Sequence, residues 1–233
     1  MPSQIPPLPT DNPRQVDDFR TLDKVAARSA NSGEDTPSEV HLPASAPLYN
    51  HGMDSSTETH SSGVIDTAFV LRFEPQYIVT DAEAEIFDSI GPKVVKRESY
   101  KRKHFLKVAE WKAVAAQATF EGLDSDDIEY VTAVALDEDT PNHLRLPFLK
   151  VLPGVGGPLA STLLTAYDPK KFTIMDSRAT GVLHEYGLLE SPNPNHTDYQ
   201  TYRKLVKSLA KGANCAPLDL YRALIAYSRQ PND

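Results

Sequence analysis

Between Leu152 and Leu164 the sequence reads LPGVGGPLASTLL, and positions 153–158 hold three glycines and two prolines. Proline fixes φ and has no amide hydrogen, and glycine opens the left-handed region, so neither helix nor strand runs through such a stretch. Leu159, Leu163 and Ala166 then follow at helical spacing. The segment is a tight turn that feeds straight into a helix. A helix begun this way offers unpaired N–H groups and the positive end of its dipole. Its glycines let another backbone or a phosphate approach without a Cβ in the way. A nucleotide-binding P-loop is excluded because no Gly-Lys-Ser/Thr ending follows, and a dinucleotide fold because no parallel strand precedes.

The rest of the chain from Asp81 onward is also patterned as helices. DAEAEIFDSI is an acidic-headed candidate closed by Gly91–Pro92. KRKHFLKVAEWKAVAAQATFEG reads as one amphipathic helix with a stop at Gly122. Asp124 or Ser125 can cap the next, which buries Ile128, Val131 and Ala135. RLPFLKVL leads into the turn at 152–158. Asp176 or Ser177 can cap a helix running to Gly187, Gly212 closes another built on Tyr202, Leu205, Val206 and Leu209, and Pro217 opens the last. The Tyr199 and Tyr202 pair fits an apolar helix face. Only TAFVLRF (67–73) and KFTIM (171–175) suggest extended chain, too little for a sheet. The expectation is an all-α domain over residues 64–233 with seven or so helices.

Residues 1–63 differ in kind. They carry nine acidic and four basic side chains, a net of −5, amid Pro, Ser, Thr, Asn and Asp. Such a segment buries too little apolar surface to offset its ordering entropy and is expected to be disordered. It lacks the order of a signal peptide, and no apolar run is long enough to span a bilayer, so the expectation is a soluble, cytoplasmic protein.

The later charges are segregated: eight Lys/Arg against two Glu over 92–112, eight Asp/Glu and no base over 121–139, and eleven bases against seven acids from Arg145 on. That could give one positive face, or only solvated helix surfaces. Cys215, the one cysteine, excludes an internal disulfide and an iron–sulfur cluster, and reads as a small packed residue. The seven His show no zinc spacing. No metal site is expected.

FLKVLPGVGGPLASTLL resembles the helix-hairpin-helix element of the endonuclease-III-type DNA glycosylases, through Leu152, Pro153, Gly154, Val155, Gly156 and the small Ala160. FTIMDSRATGVL resembles the segment in which that superfamily's catalytic Asp follows an apolar run, and places it at Asp176. The order Trp111-Lys112, PGVG, Asp-Ser-Arg also looks like bacterial helical proteins of this kind that lack the catalytic lysine. In bifunctional members a Schiff-base lysine precedes the Asp by 18 residues; here that position is Pro158. The resemblance therefore implies a monofunctional DNA N-glycosylase and not a lyase. It implies duplex DNA as partner, held by main-chain amides of the hairpin from Leu152 to Gly157. No cofactor is implied, although such a hairpin could hold a monovalent cation.

In that reading Asp176 stabilises the positive charge that builds on the sugar as the N-glycosidic bond breaks. Lys150, Lys170, Lys171 and Arg178 supply phosphate contacts, with Arg178 also free to pair with Asp176. Trp111, Tyr100, His104 and Tyr186 are candidates to stack on a turned-out base. Local sequence alone equally supports a plain helix cap at Asp176 and a plain turn at the glycines. Two other functions stay open: a DNA-binding module without chemistry, and a helical domain that binds another protein, which the acidic stretch 121–139 favours.

Overall fold

The computed structural model describes residues 64–231, and the expected disorder of 1–63 lies outside them. Among the described residues the protein is all-helical, with no strand. No helix there is long and apolar enough to cross a membrane.

The segment expected to be extended, Thr67–Phe73, is the first helix, α1. Its β-branched and aromatic content suggests a strand, but Asp66 caps it through the Phe69 amide at 3.0 Å, and Phe69, Val70 and Phe73 bury one face. The next element does not stop at Gly91–Pro92. α2 (Asp81–Ala84) passes through a π-helical stretch, Glu85–Ile90, into α3 (Gly91–Arg97). The wide π turn accommodates Pro92, which has no amide to return to the preceding turn. Gly91 is required for packing: a Cβ there would lie 2.4 Å from the Ala166 carbonyl oxygen.

The long helix expected over 101–122 is broken. α4 (Arg102–Lys112) ends at Ala113, whose φ of −138° and ψ of 49° are not helical. A 3₁₀ turn, Val114–Ala116, leads to the short α5 (Gln117–Glu121). Phe120 of α5 folds back edge-on against Phe105 of α4, with ring centres 5.8 Å apart, and burying that ring overrides the helix propensity of the alanines. α6 (Ser125–Leu136) is capped by Asp124, as its sequence suggests.

RLPFLKVL forms most of α7 (Asn142–Leu149), with Pro147 inside it. The chain then turns into α8 (Gly157–Tyr167). The remaining helices are α9 (Ser177–Glu185), α10 (Tyr199–Gly212) and α11 (Pro217–Tyr227). α10 ends at the expected glycine, Gly212, and Asn214 just past it adopts the left-handed region at φ 55°. α8 is the hub. Nearly every residue of it is buried, and α3, α4 and α7 pack around it. α11 closes the other side against α1, α9 and α10.

Candidate functional site

The turn between α7 and α8 is tight, as its prolines and glycines suggest. Val155 N–H donates to the Leu152 carbonyl at 3.1 Å, with Pro153 and Gly154 at the two central positions and Gly154 at φ +80°. That is a type II β-turn, whose third position requires φ > 0. Glycine is needed for space as well, since a Cβ on Gly154 would sit 2.9 Å from the Phe120 ring. Leu152 and Val155 are buried and anchor the turn, while Pro153, Gly154 and Gly156 are exposed at its tip. Gly156 is the N-cap of α8 and supplies no side chain to its amides. Lys150 is exposed beside this tip.

Residues 172–175 form the second half of the site. They are buried but have no strand partner, so side chains satisfy their backbone. Met175 N–H donates to Ser161 Oγ at 3.0 Å, and the Tyr199 and Tyr202 hydroxyls donate to the Thr173 and Ile174 carbonyls at 3.0 and 2.7 Å. Three bonds from two helices hold the segment in place. It ends at Asp176, whose Oδ1 accepts the Ala179 amide at 3.0 Å and caps α9.

The other carboxylate oxygen is where the structure adds most. Asp176 Oδ2 lies 2.5 Å from Lys112 Nζ and accepts the Tyr221 hydroxyl at 2.8 Å. Lys112 also donates to that hydroxyl at 2.9 Å, closing a triangle. Its ammonium lies 5.2 Å from the centre of the Trp111 ring and 5.3 Å from that of Tyr221. The Lys112 and Asp176 side chains are only 10% and 14% exposed. Burial by itself would raise the Asp176 pKa, but the Lys112 charge, the Ala179 amide and the Tyr221 hydroxyl outweigh it and hold the carboxyl below its ordinary value. Burial, then the Asp176 charge, pushes the Tyr221 phenol far up, so it stays a neutral donor.

Lys112, Asp176, Ser177 and Arg178 line a cleft of about 290 Å³ with Pro158, in the first turn of the hairpin's second helix, and Pro194. Ser177 and Arg178 also border a groove of about 1020 Å³ between α1, α9 and α11, where Phe69, Tyr186 and Tyr227 form an aromatic wall. The cleft and the groove meet at Arg178.

Of the residues singled out from sequence, Asp176, Arg178 and the hairpin share this region. Lys112, and not Arg178, is the ion-pair partner of Asp176. Lys170 and Lys171 stand elsewhere, past the far end of α8, an eleven-residue helix about 16 Å long. Tyr100 does not stack on anything from outside: it is fully buried and its hydroxyl donates to the Leu163 carbonyl at 2.8 Å. Tyr186 borders the large groove, whereas His104 is placed in neither opening. Tyr221 had no signal in sequence beyond its place on an apolar helix face. Cys215 is half-buried. Among the described residues no three His, Cys, Asp or Glu side chains are grouped to hold a metal ion.

Comparison of the chain with protein-family models, with curated proteins and with solved structures finds no match.

Proposed function

We propose that this domain grips a DNA strand with the hairpin at 152–157 and hydrolyses the N-glycosidic bond of a base turned out beside Asp176. One observation carries the reading: a backbone segment pinned by Ser161, Tyr199 and Tyr202 delivers an ionised carboxylate into a cleft walled by Pro158 of the hairpin helix. A charge pair so little exposed is costly to hold, and such groups gather where charge is used. Electrostatic stabilisation of an oxocarbenium-like sugar needs a carboxylate already charged and already oriented. Lys112 and Tyr221 keep it charged, and the Ala179 amide orients it. The adjoining groove gives an unstacked base an aromatic wall at Tyr186 and Tyr227.

A binding module without chemistry is the second reading, favoured by one feature. Both oxygens of Asp176 are engaged, one by an amide and the other by two side chains. In the catalytic reading the developing positive charge of the sugar shares Oδ2 with the groups already there.

Asp176→Asn separates the two. The amide still caps α9 but carries no charge to stabilise a cation. Duplex binding by the full chain is expected to persist while base release from duplexes bearing single modified bases falls by at least 100-fold. Base release at the wild-type rate would refute the catalytic reading. Binding by both proteins without release from any of these duplexes would leave the module.

A further inference from the structure

Helix α10 has no acidic residue between Tyr199 and Gly212 but carries Arg203, Lys204, Lys207 and Lys211. At about 100° per residue these four fall within an arc of about 100°. Lys204, Lys207 and Lys211 are exposed. The adjoining face is fixed: Tyr199, Tyr202, Val206 and Ala210 are buried, and the two tyrosines bind the segment that leads to Asp176.

The stripe extends onto the turn after α8. Arg203 Nη1 donates to the Lys171 carbonyl at 3.0 Å, which brings Lys170 and Lys171 beside the start of α10. Lys171, Arg203 and the buried Arg145 all lie over one ring, Phe172, at 5.6, 5.6 and 5.9 Å. Arg145 donates only to the Ala135 and Glu138 carbonyls, and the buried Nε atoms of Arg145 and Arg203 have no acceptor. Among the described residues none of these seven cations is in an ion pair with a carboxylate. Two acids flank the stripe and offset part of its charge: Asp168, bonded to the amides of Lys170 and Lys171, faces Lys171, and Asp198, bonded to that of Thr201 at the α10 N-cap, faces Lys204. The Lys171 ammonium is nonetheless disfavoured, first by partial burial and then by the charge of Arg145.

Six exposed or half-buried cations without a direct ion pair, in a region whose residues 64–233 sum to −3, are a local concentration of positive charge that draws a polyanion. We propose that the stripe of Lys170, Lys171, Arg203, Lys204, Lys207 and Lys211 is a second phosphate-contact surface for duplex DNA, separate from the hairpin. The choice of DNA among polyanions rests on the function proposed above; the stripe itself does not. The hairpin and Lys170 lie at opposite ends of α8, about 16 Å apart along its axis, or about five base-pair steps of a B-form strand.

The test is duplex binding by the full chain between about 50 and 200 mM salt, with Lys204, Lys207 and Lys211 all changed to Gln, and separately all to Arg. Each phosphate contact contributes about 0.9 to the salt slope, so losing three lowers it by about 2.7. The affinity lost over this fourfold salt range should therefore shrink by up to about 40-fold in the Gln variant. The Arg variant should keep the wild-type slope. An unchanged slope in the Gln variant, with wild-type protein still binding, would overturn the stripe and leave the hairpin reading intact. No binding by wild-type protein at the lowest salt would overturn both. Polyglutamate bound as tightly as duplex, with the same loss in the Gln variant, would refute nucleic acid as the partner.

Discussion

Replacing Lys112 with Met tests whether Asp176 is held charged by its partner. The methionine keeps the volume of the stem and removes the ammonium. Asp176 then keeps the Ala179 amide and the Tyr221 hydroxyl but faces its burial without a counter-charge. Removing one partner of a fully buried pair costs about 3–5 kcal/mol. With side chains 10% and 14% exposed and two donors remaining, the expected cost at neutral pH is about 2–3 kcal/mol. Urea unfolding measures it through the midpoint. The cost has a pH signature. In the wild type the carboxyl's folded pKa is depressed, so its stabilisation is full above the unfolded value of about 3.9 and fades as pH falls through the folded one. In the variant that pKa moves up and the folded state takes up a proton more readily. The gap between the two proteins should therefore narrow as pH drops through the carboxylate range. In K112M/D176N neither charge remains, and its cost should fall short of the sum of the single variants by about 2 kcal/mol. Additive costs within about 0.5 kcal/mol, or a gap that does not change with pH, would refute this account of the pair.

The remaining predictions concern what positions the site. Gly154→Ala forces a Cβ onto the Phe120 ring at φ +80° and is expected to cost about 1–3 kcal/mol. Gly91→Ala meets the backbone of α8, which yields less than a side chain, and should cost about 3 kcal/mol; a smaller loss than at Gly154 in thermal unfolding would contradict this ranking. Tyr202→Phe strips the donor from the buried Ile174 carbonyl, for a cost of about 1–2 kcal/mol. It should also lower any base-release rate without weakening duplex binding, since it loosens the segment that presents Asp176 and leaves the hairpin alone.

The helices with strong caps and clean periodicity were legible in the sequence. Asp124, Asp176 and Pro217 begin α6, α9 and α11 as their residue types suggest, and the hairpin turn follows from Pro153 and Gly154. Tertiary contacts decided the other elements. TAFVLRF is helical because Asp66 caps it and its apolar face packs on α11. The alanine-rich run after Lys112 breaks because Phe120 packs back on Phe105. KFTIM looks extended in sequence, yet side chains from α8 and α10 take the place of a neighbouring strand. In the site, Asp176 stood out through the resemblance of FTIMDSRATGVL, while its local sequence marked only a helix cap. Its partners Lys112 and Tyr221 lie 64 and 45 residues away, and no local pattern links such positions. Lys112 stood beside Trp111 in the order that resembles helical proteins of this kind, but nothing in the sequence paired it with Asp176.

The measurement that tests the hairpin most directly is duplex binding by Gly156→Asp. Gly156 stands at the α8 N-cap with φ −89° and ψ 176°, and the nearest atom to an added Cβ is Pro158 Cδ at 3.7 Å. Aspartate suits that position and strengthens the cap, so the fold should be kept or stabilised. It also places a negative charge where a phosphate would sit. The account predicts that the wild-type chain binds duplex DNA at low salt, most tightly when the duplex contains an abasic site, and that G156D unfolds no more easily yet loses this binding. Undiminished binding by G156D would contradict the account.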